Sequence, residues 1–145
     1  MVPNPKPELM RDEFWASAFL PHDPFYEELT TEFRRGVVSG TEEDLRWGRM
    51  AMASITDAAL WPLAFRLVQL AVKFPRADFV ESLVFFLSQE RTLARLNHLR
   101  GNLSDEYVLE MRTLVGDLQS LLSGANDADM ADQLTLVKQT LSQEP

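Results

Sequence analysis

The sequence WPLAFRLVQLAVKFPRADFVESLVFFLSQERTLARLNHLR, at residues 61–100, reads as two helices joined at a proline. In the first helix, Leu63, Leu67 and Leu70 recur at helical spacing and place an apolar seam along one face. The polar residues form a single narrow stripe, so this helix cannot lie on a surface and is predicted to be central. That stripe consists of Arg66, Gln69 and Lys73.

Pro75 lies where the first helix is predicted to end, because proline disfavours helical dihedrals at the residue before it. Asp78 offers a cap for a second helix, and so short a turn predicts that the two helices pack antiparallel. The second helix, residues 78–100, begins almost wholly apolar and becomes polar halfway along. The polar side chains that share its buried side are Glu90, Arg91, Asn97 and His98.

The rest of the chain shows helical apolar spacing, short connections and no alternating strand pattern. We therefore predict an all-α, single-domain bundle of six or seven helices around the central antiparallel helical hairpin. The domain is predicted to span residues 1–145, with a short proline-rich N-terminal arm at residues 1–7. Pro7 is expected to open the first helix, since proline suits the first helical position.

Three further boundaries follow from proline and glycine positions. Gly36 is expected to end the helix that precedes it, and Gly101 has the place of a glycine cap after residue 100. Pro62 is expected to separate the central helix from the one before it, because proline breaks helix interiors. Trp47 and Trp61 are predicted to be core aromatics, with a subunit interface as the alternative.

Composition restricts the classes of partner. The 145 residues carry a formal net charge of −8 and no cysteine, so disulfides and thiolate chemistry are excluded. By segment, residues 1–65 carry −5, residues 66–100 carry +3 and residues 101–145 carry −6. This balance opposes nucleic-acid binding, which depends on phosphate neutralisation. We expect no membrane contact and a cytoplasmic location, because charges interrupt every apolar run and no signal-peptide core is present.

The inventory for catalysis is small. The two histidines, His22 and His98, lie far apart in the sequence, and no zinc-protease, di-metal carboxylate or serine-hydrolase pattern occurs. No metal, no cofactor and no catalytic residue is predicted, and an enzyme is the less favoured class. His98 is a conceivable axial ligand for haem, but residues at the same height in the hairpin offer no second ligand, which disfavours haem.

One polar cluster is predicted across the central hairpin. If the chain folds back about Arg76, His98 lies level with Ile55, and Asn97 lies level with Thr56, next to Asp57. A buried charge needs a partner, so Asp57 is expected to pair with Arg91 or His98, as a structural ion pair, at the edge of a subunit interface or in a ligand pocket. The candidate ligand-binding residues are Asp57, Glu90, Arg91, Arg95, Asn97 and His98.

These observations favour a non-enzymatic protein-interaction module with an acidic helical surface: an adaptor, a chaperone or a regulatory subunit. The expected partner is another protein, with a second copy of the chain as one candidate. The alternative is a small-ligand-binding protein or enzyme that uses a polar pocket around Asp57, Arg91 and His98. A pocket lined by those residues favours the alternative, and their contact with another protein favours the interaction module.

Overall fold

The computed structural model describes residues 2–20, 25–46, 48–124 and 127–143, so His22 and the prediction for Trp47 lie outside the described residues. Within these ranges all regular structure is helical, which confirms the all-α bundle. The eight α-helices are α1 (Asp12–Ala16), α2 (Phe25–Ser39), α3 (Gly48–Met52), α4 (Asp57–Lys73), α5 (Asp78–Ser88), α6 (Glu90–Leu99), α7 (Asp105–Gly124) and α8 (Ala128–Ser142).

The described residues also form three short 3₁₀ helices: Pro7–Met10 precedes α1, Glu42–Leu45 connects α2 to α3, and Arg100–Asn102 connects α6 to α7. Pro7 opens the first of them, as the sequence predicts. The arm before it packs on the bundle: the Nζ of Lys6 lies 4.8 Å from the ring centroid of Phe65 and 5.0 Å from that of Tyr107. A cation over two aromatic faces holds the arm against α4 and α7.

Helix α4 is the most deeply buried element, as predicted from its narrow polar stripe. Leu63, Leu67 and Leu70 are fully buried, and so is Leu83 of α5. Helix α4 packs most extensively against α7, and α5 packs most extensively against α8. The core therefore lies between the two predicted hairpin helices and the two C-terminal helices, whose apolar stripes cover them.

The count of eight helices exceeds the predicted six or seven because the second hairpin helix is interrupted. Gln89 has φ −66° and ψ 139°, an extended conformation that ends α5 at Ser88 and allows α6 to begin at Glu90. The hydroxyl of Ser88 donates to the carbonyl of Phe85 at 3.2 Å, which satisfies one acceptor at the end of α5. All four polar residues predicted to share the buried side of the second helix lie on α6, and the apolar first half of that predicted helix is α5.

Pro62 does not separate two helices, and this prediction is wrong. It lies inside α4, which begins five residues earlier at Asp57. Proline there removes one main-chain hydrogen bond, to the carbonyl of Ala58. The neighbouring Leu60 and Leu63 are fully buried, and tertiary packing of this kind outweighs a single lost bond.

Gly36 does not end α2, and that prediction is also wrong. The helix continues to Ser39, and Gly40 follows with φ 71°, so Gly40 has the role of the terminal glycine. A Cβ on Gly36 would lie 2.8 Å from the side chain of Leu45, so Gly36 permits close packing inside the helix. Gly101, the other predicted cap, lies within the 3₁₀ helix that follows α6.

A membrane span requires both length and continuous apolarity in one helix. Among the helices of the described ranges, none has both.

Candidate functional site

One wall of the candidate site is a pairing of two irregular segments. The main-chain N–H of Leu20 donates to the carbonyl of Ser54 at 2.8 Å, and that of Thr56 donates to Ala18 at 2.9 Å. The hydroxyl of Thr56 also donates to the carbonyl of Ser17 at 2.6 Å. These bonds fix the chain that follows α1 against the start of α4 and place Leu20 at the edge of the site.

The opposite wall is formed at the break between α5 and α6. Because Gln89 is extended, the first turn of α6 is displaced from the line of α5 and borders the site together with Phe85 and Phe86. Helix α3, which packs against α5, closes a third side with Arg49 and Ala53.

Between these walls lies a cleft of about 560 Å³. Its lining combines three arginines and one aspartate with apolar side chains, and it is open to solvent on one side. The lining residues are Leu20, Arg49, Ala53, Ile55, Thr56, Asp57, Ser82, Phe85, Phe86, Gln89, Arg91, Thr92 and Arg95.

Arg95 is the most firmly held of the three arginines. Its Nε donates to Oδ1 of Asp57 at 2.7 Å, and its Nη2 donates to the carbonyl of Ile55 at 2.8 Å. The Asp57 side chain is 62% exposed, so solvent weakens this ion pair, whereas the bond to the Ile55 carbonyl is partly buried. Arg95 is therefore oriented by two acceptors.

Arg49 and Arg91 have no carboxylate partner among the described residues. The guanidinium of Arg49 stacks over the ring of Phe85, with its Cζ 5.3 Å from the ring centroid. Arg91 is exposed and makes no hydrogen bond or ion pair in the described part of the chain. The three guanidinium groups and the Asp57 carboxylate give the cleft lining a net charge of +2, in a chain whose net charge is −8.

The rim of the cleft carries two exposed apolar side chains. Leu20 is 54% exposed and Phe85 is 48% exposed, and the ring of Phe85 lies under the guanidinium of Arg49. Their combination with cationic groups provides an apolar contact surface and anion-binding groups within one depression. Such a surface suits a ligand that carries both an acidic group and an apolar group.

The cleft contains half of the residues predicted as ligand-binding. Asp57, Arg91 and Arg95 line it. The other three do not: Glu90 and His98 are exposed elsewhere on α6, and Asn97 is partly buried. Oδ1 of Asn97 is buried without a hydrogen-bond partner in the described residues.

The partner of Asp57 is Arg95 rather than the predicted Arg91 or His98. The predicted fold-back about Arg76 places Asp57 level with residue 96, so Arg95 lies within one residue of the expected height. Asp57 is also exposed, so the argument that it needs a partner because it is buried does not apply.

The sequence analysis missed Arg49, Phe85 and Thr92 as cleft residues. Arg49 is the only cation between residues 47 and 65, and that isolation is the one signal that could have identified it. Phe85 lies in a run of apolar residues, where spacing along a single helix does not separate an exposed aromatic from a core one. Thr92 carries no distinguishing signal in the sequence.

Comparisons with protein-family models, with curated proteins and with solved structures found no match to the chain. The functional argument therefore depends on the cleft and on the charges and apolar groups that line it.

Proposed function

We propose that the protein is a non-enzymatic interaction module whose cleft binds an acidic segment of a partner protein. The single observation that carries the proposal is that Arg91, which has no carboxylate partner among the described residues, and exposed Phe85 line one cleft. Guanidinium groups bind carboxylates in a planar geometry, and an aromatic ring beside them contacts the apolar neighbours of those carboxylates.

Charge distribution supports an acidic rather than a basic partner segment. The cleft lining carries +2 while the rest of the chain is acidic, so an acidic segment is attracted to the cleft and repelled by other surfaces. This charge distribution orients the partner segment on the protein in addition to raising its affinity for the cleft. We retain the cytoplasmic location expected from the sequence as part of the proposal.

A selection from displayed random peptides tests the proposal. Enriched peptides are expected to combine several Asp or Glu residues with an aromatic or branched aliphatic residue. Their affinity is expected to fall about tenfold in Phe85→Ala and in Arg91→Glu, since each removes a contact of the order of 1 to 2 kcal/mol. Arg112→Gln, on α7, removes one positive charge outside the cleft and serves as the matched control.

Two outcomes contradict the proposal. If basic peptides are enriched, the attraction between the cleft and acidic segments is not what selects the partner. If the cleft variants and the wild type bind the peptides with equal affinity, the peptides bind elsewhere on the protein. A second copy of the chain is an alternative partner. Dimerisation measured by sedimentation, if it is abolished by Arg91→Glu and unaffected by Arg112→Gln, identifies that copy as the source of the acidic segment.

The cleft volume favours a second candidate, the binding of a small anionic ligand. About 560 Å³ lies within the range of small-molecule sites. Of the residues originally assigned to such a pocket, Asp57 and Arg91 line the cleft and His98 does not. Proton exchange between Asp57 and His98 is therefore not part of this candidate. Benzoate and free glutamate, titrated with the same variants, test it separately from the peptides.

A further inference from the structure

Thr92 has an unusual environment for a threonine. It is 2% exposed, it lines the cleft, and its hydroxyl has no hydrogen-bond partner in the described residues. The Thr92 oxygen is not one of the fully buried side-chain atoms that lack a partner in the described residues, so it retains contact with solvent. The hydroxyl of Thr92 is therefore available for a ligand atom in the cleft.

The main chain around Thr92 offers further donors. Thr92 is the third residue of α6, and the first N–H groups of a helix have no acceptor within it. Gln89, at the N-cap position, makes no side-chain hydrogen bond that would occupy them. The positive end of the helix dipole also lies at this turn, which borders the cleft.

The net charge of the cleft lining favours a phosphomonoester over a single carboxylate. Its three guanidinium groups and one carboxylate give +2, whereas a single carboxylate brings −1. A phosphomonoester brings about −1.5 to −2 at neutral pH and three acceptor oxygens. Those oxygens match the donors of this corner: the Thr92 hydroxyl, the first-turn N–H groups, and the guanidinium groups of Arg91 and Arg95.

We infer that the partner segment carries a phosphorylated side chain, and that its phosphoryl group binds where Thr92, Arg91 and the first turn of α6 meet. This inference rests on the proposed function, because it specifies the acidic group of the same partner segment. The Thr92 hydroxyl and the main-chain N–H groups donate to the phosphoryl oxygens, while Phe85 and Leu20 contact apolar residues beside the phosphorylated one. No covalent step is involved.

The test uses the full chain and a set of matched peptides. A short peptide with phosphoserine between Phe and Leu, flanked by Glu, is compared with its unphosphorylated form and with the form that has Asp in place of phosphoserine. Inorganic phosphate and phenyl phosphate are titrated alongside. Affinity is measured by fluorescence anisotropy, with competition for the free phosphates, and the amide resonances of Glu90, Arg91 and Thr92 are followed by NMR.

We expect the phosphorylated peptide to bind about tenfold more tightly than the other two, because charged hydrogen bonds form at the α6 turn. The three amide resonances are expected to shift with the phosphorylated peptide and to shift less with the unphosphorylated one. Thr92→Val is expected to reduce affinity for the phosphorylated peptide about fivefold and to leave the unphosphorylated peptide unaffected. Arg112→Gln is expected to change neither.

The failures of the two proposals are distinguishable. If all three peptides bind with equal affinity and Phe85→Ala weakens their binding, the phosphoryl inference is overturned and the acidic-segment proposal stands. If inorganic phosphate binds saturably at the α6 turn and no peptide binds more tightly than phosphate does, the ligand is free phosphate. That result overturns the assignment to a partner segment. No amide shift with any phosphate probe overturns the inference outright.

Discussion

Arg66 of α4 donates a hydrogen bond from its Nε to the main-chain carbonyl of Val37, at 2.8 Å, near the end of α2. Carbonyl groups in the last turn of a helix have no N–H donor within that helix. Arg66 supplies a donor to one of these carbonyls. Its Nη1 donates to the carbonyl of Pro3 at 2.7 Å, which ties the N-terminal arm to the same point. Arg66 thus joins three separate parts of the chain.

This arginine is 1% exposed, and burial lowers the pKa of its guanidinium. No carboxylate pairs with it in the described part of the chain, so main-chain carbonyls and the Gln69 side chain, whose Oε1 accepts at 2.6 Å, compensate for its lost hydration. A buried cation held in this way is costly to remove, because its acceptors are left unsatisfied.

We predict that Arg66→Met lowers the free energy of unfolding by about 3 kcal/mol, since several buried carbonyl groups lose their donor at once. Urea denaturation followed by circular dichroism measures the change. Lys73→Met is the control: Lys73 belongs to the same polar stripe of α4 but is exposed, so its replacement is expected to alter stability by less than about 0.5 kcal/mol. Equal effects of the two substitutions contradict the structural role of Arg66.

A second prediction concerns Gly40, the described glycine with positive φ, at 71°. Gly40→Ala is expected to lower stability by about 2 kcal/mol, because alanine is strained in this conformation. A Cβ there would also lie 2.5 Å from Cγ1 of Val2. Adding Val2→Ala is therefore expected to recover part of the loss, as measured by thermal unfolding. Gly101→Ala, which meets no atom within 4 Å, is expected to cause no loss.

Tyr107 gives the chain a predicted sensitivity to alkaline pH. Burial, with smaller contributions from the Glu8 and Glu110 carboxylates, raises the pKa of its phenol above the ordinary value of 10.0. The folded state therefore holds the phenol proton more tightly than the unfolded state does. The contribution of this group to the free energy of unfolding is constant below the unfolded-state pKa of about 10, and the free energy of unfolding falls as the pH rises above that value.

We therefore expect Tyr107→Phe to flatten the loss of stability above about pH 10, as measured by urea unfolding at a series of pH values. At neutral pH the substitution is expected to be neutral or stabilising, because the hydroxyl is buried and has no hydrogen-bond partner in the described residues. A variant that loses stability with pH as steeply as the wild type shows that Tyr107 is not the responsible group.

The apolar seam of the fold was predictable from the sequence. Leu63, Leu67 and Leu70 recur at helical spacing, and all three are fully buried. The return of the chain to the start of α4 was also predictable, since the turn at Pro75 brings α6 back to Asp57. These features depend on local spacing and on one short connection, which a sequence displays directly.

The cleft was only partly predictable, because its walls come from segments that are distant in sequence. The pairing of Leu20 with Ser54 depends on main-chain groups that carry no sequence signature. The break at Gln89 has neither glycine nor proline to mark it. Arg66 was assigned to a polar stripe, since nothing in the sequence reveals that carbonyls of another helix surround it.

A prediction for Thr92 follows from its unpartnered hydroxyl. Thr92→Val keeps the shape of the side chain and removes a hydroxyl that makes no hydrogen bond in the described residues, so stability is expected to stay equal or to rise by up to about 1 kcal/mol. Thr140→Val is the matched control, because the hydroxyl of Thr140 donates to the carbonyl of Leu136 at 3.0 Å and its loss is expected to cost about 1 kcal/mol. A clear loss of stability in Thr92→Val, measured by urea unfolding, contradicts the availability of that hydroxyl for a ligand.

The last prediction concerns Asp57, the carboxylate in the arginine-lined cleft. Asp57→Asn changes the net charge of the lining from +2 to +3, so affinity for acidic peptides is expected to rise about threefold at low salt. Arg95 is expected to keep its orientation, since its Nη2 still donates to the carbonyl of Ile55. The exposed ion pair contributes less than about 1 kcal/mol, and stability is expected to change by no more than that.

Asp12→Asn is the matched control for this change. Asp12 also pairs with an arginine, Arg34, at 2.6 Å, but its pair lies outside the cleft. Association rates measured at low and high salt separate the two sites: the gain in Asp57→Asn is expected to disappear at high salt, where exposed charges are screened. If Asp12→Asn produces the same gain, the net charge of the whole chain rather than the cleft attracts the peptide. If affinity falls in Asp57→Asn, the carboxylate of Asp57 itself contacts the ligand, and the anionic character assigned to that ligand is wrong.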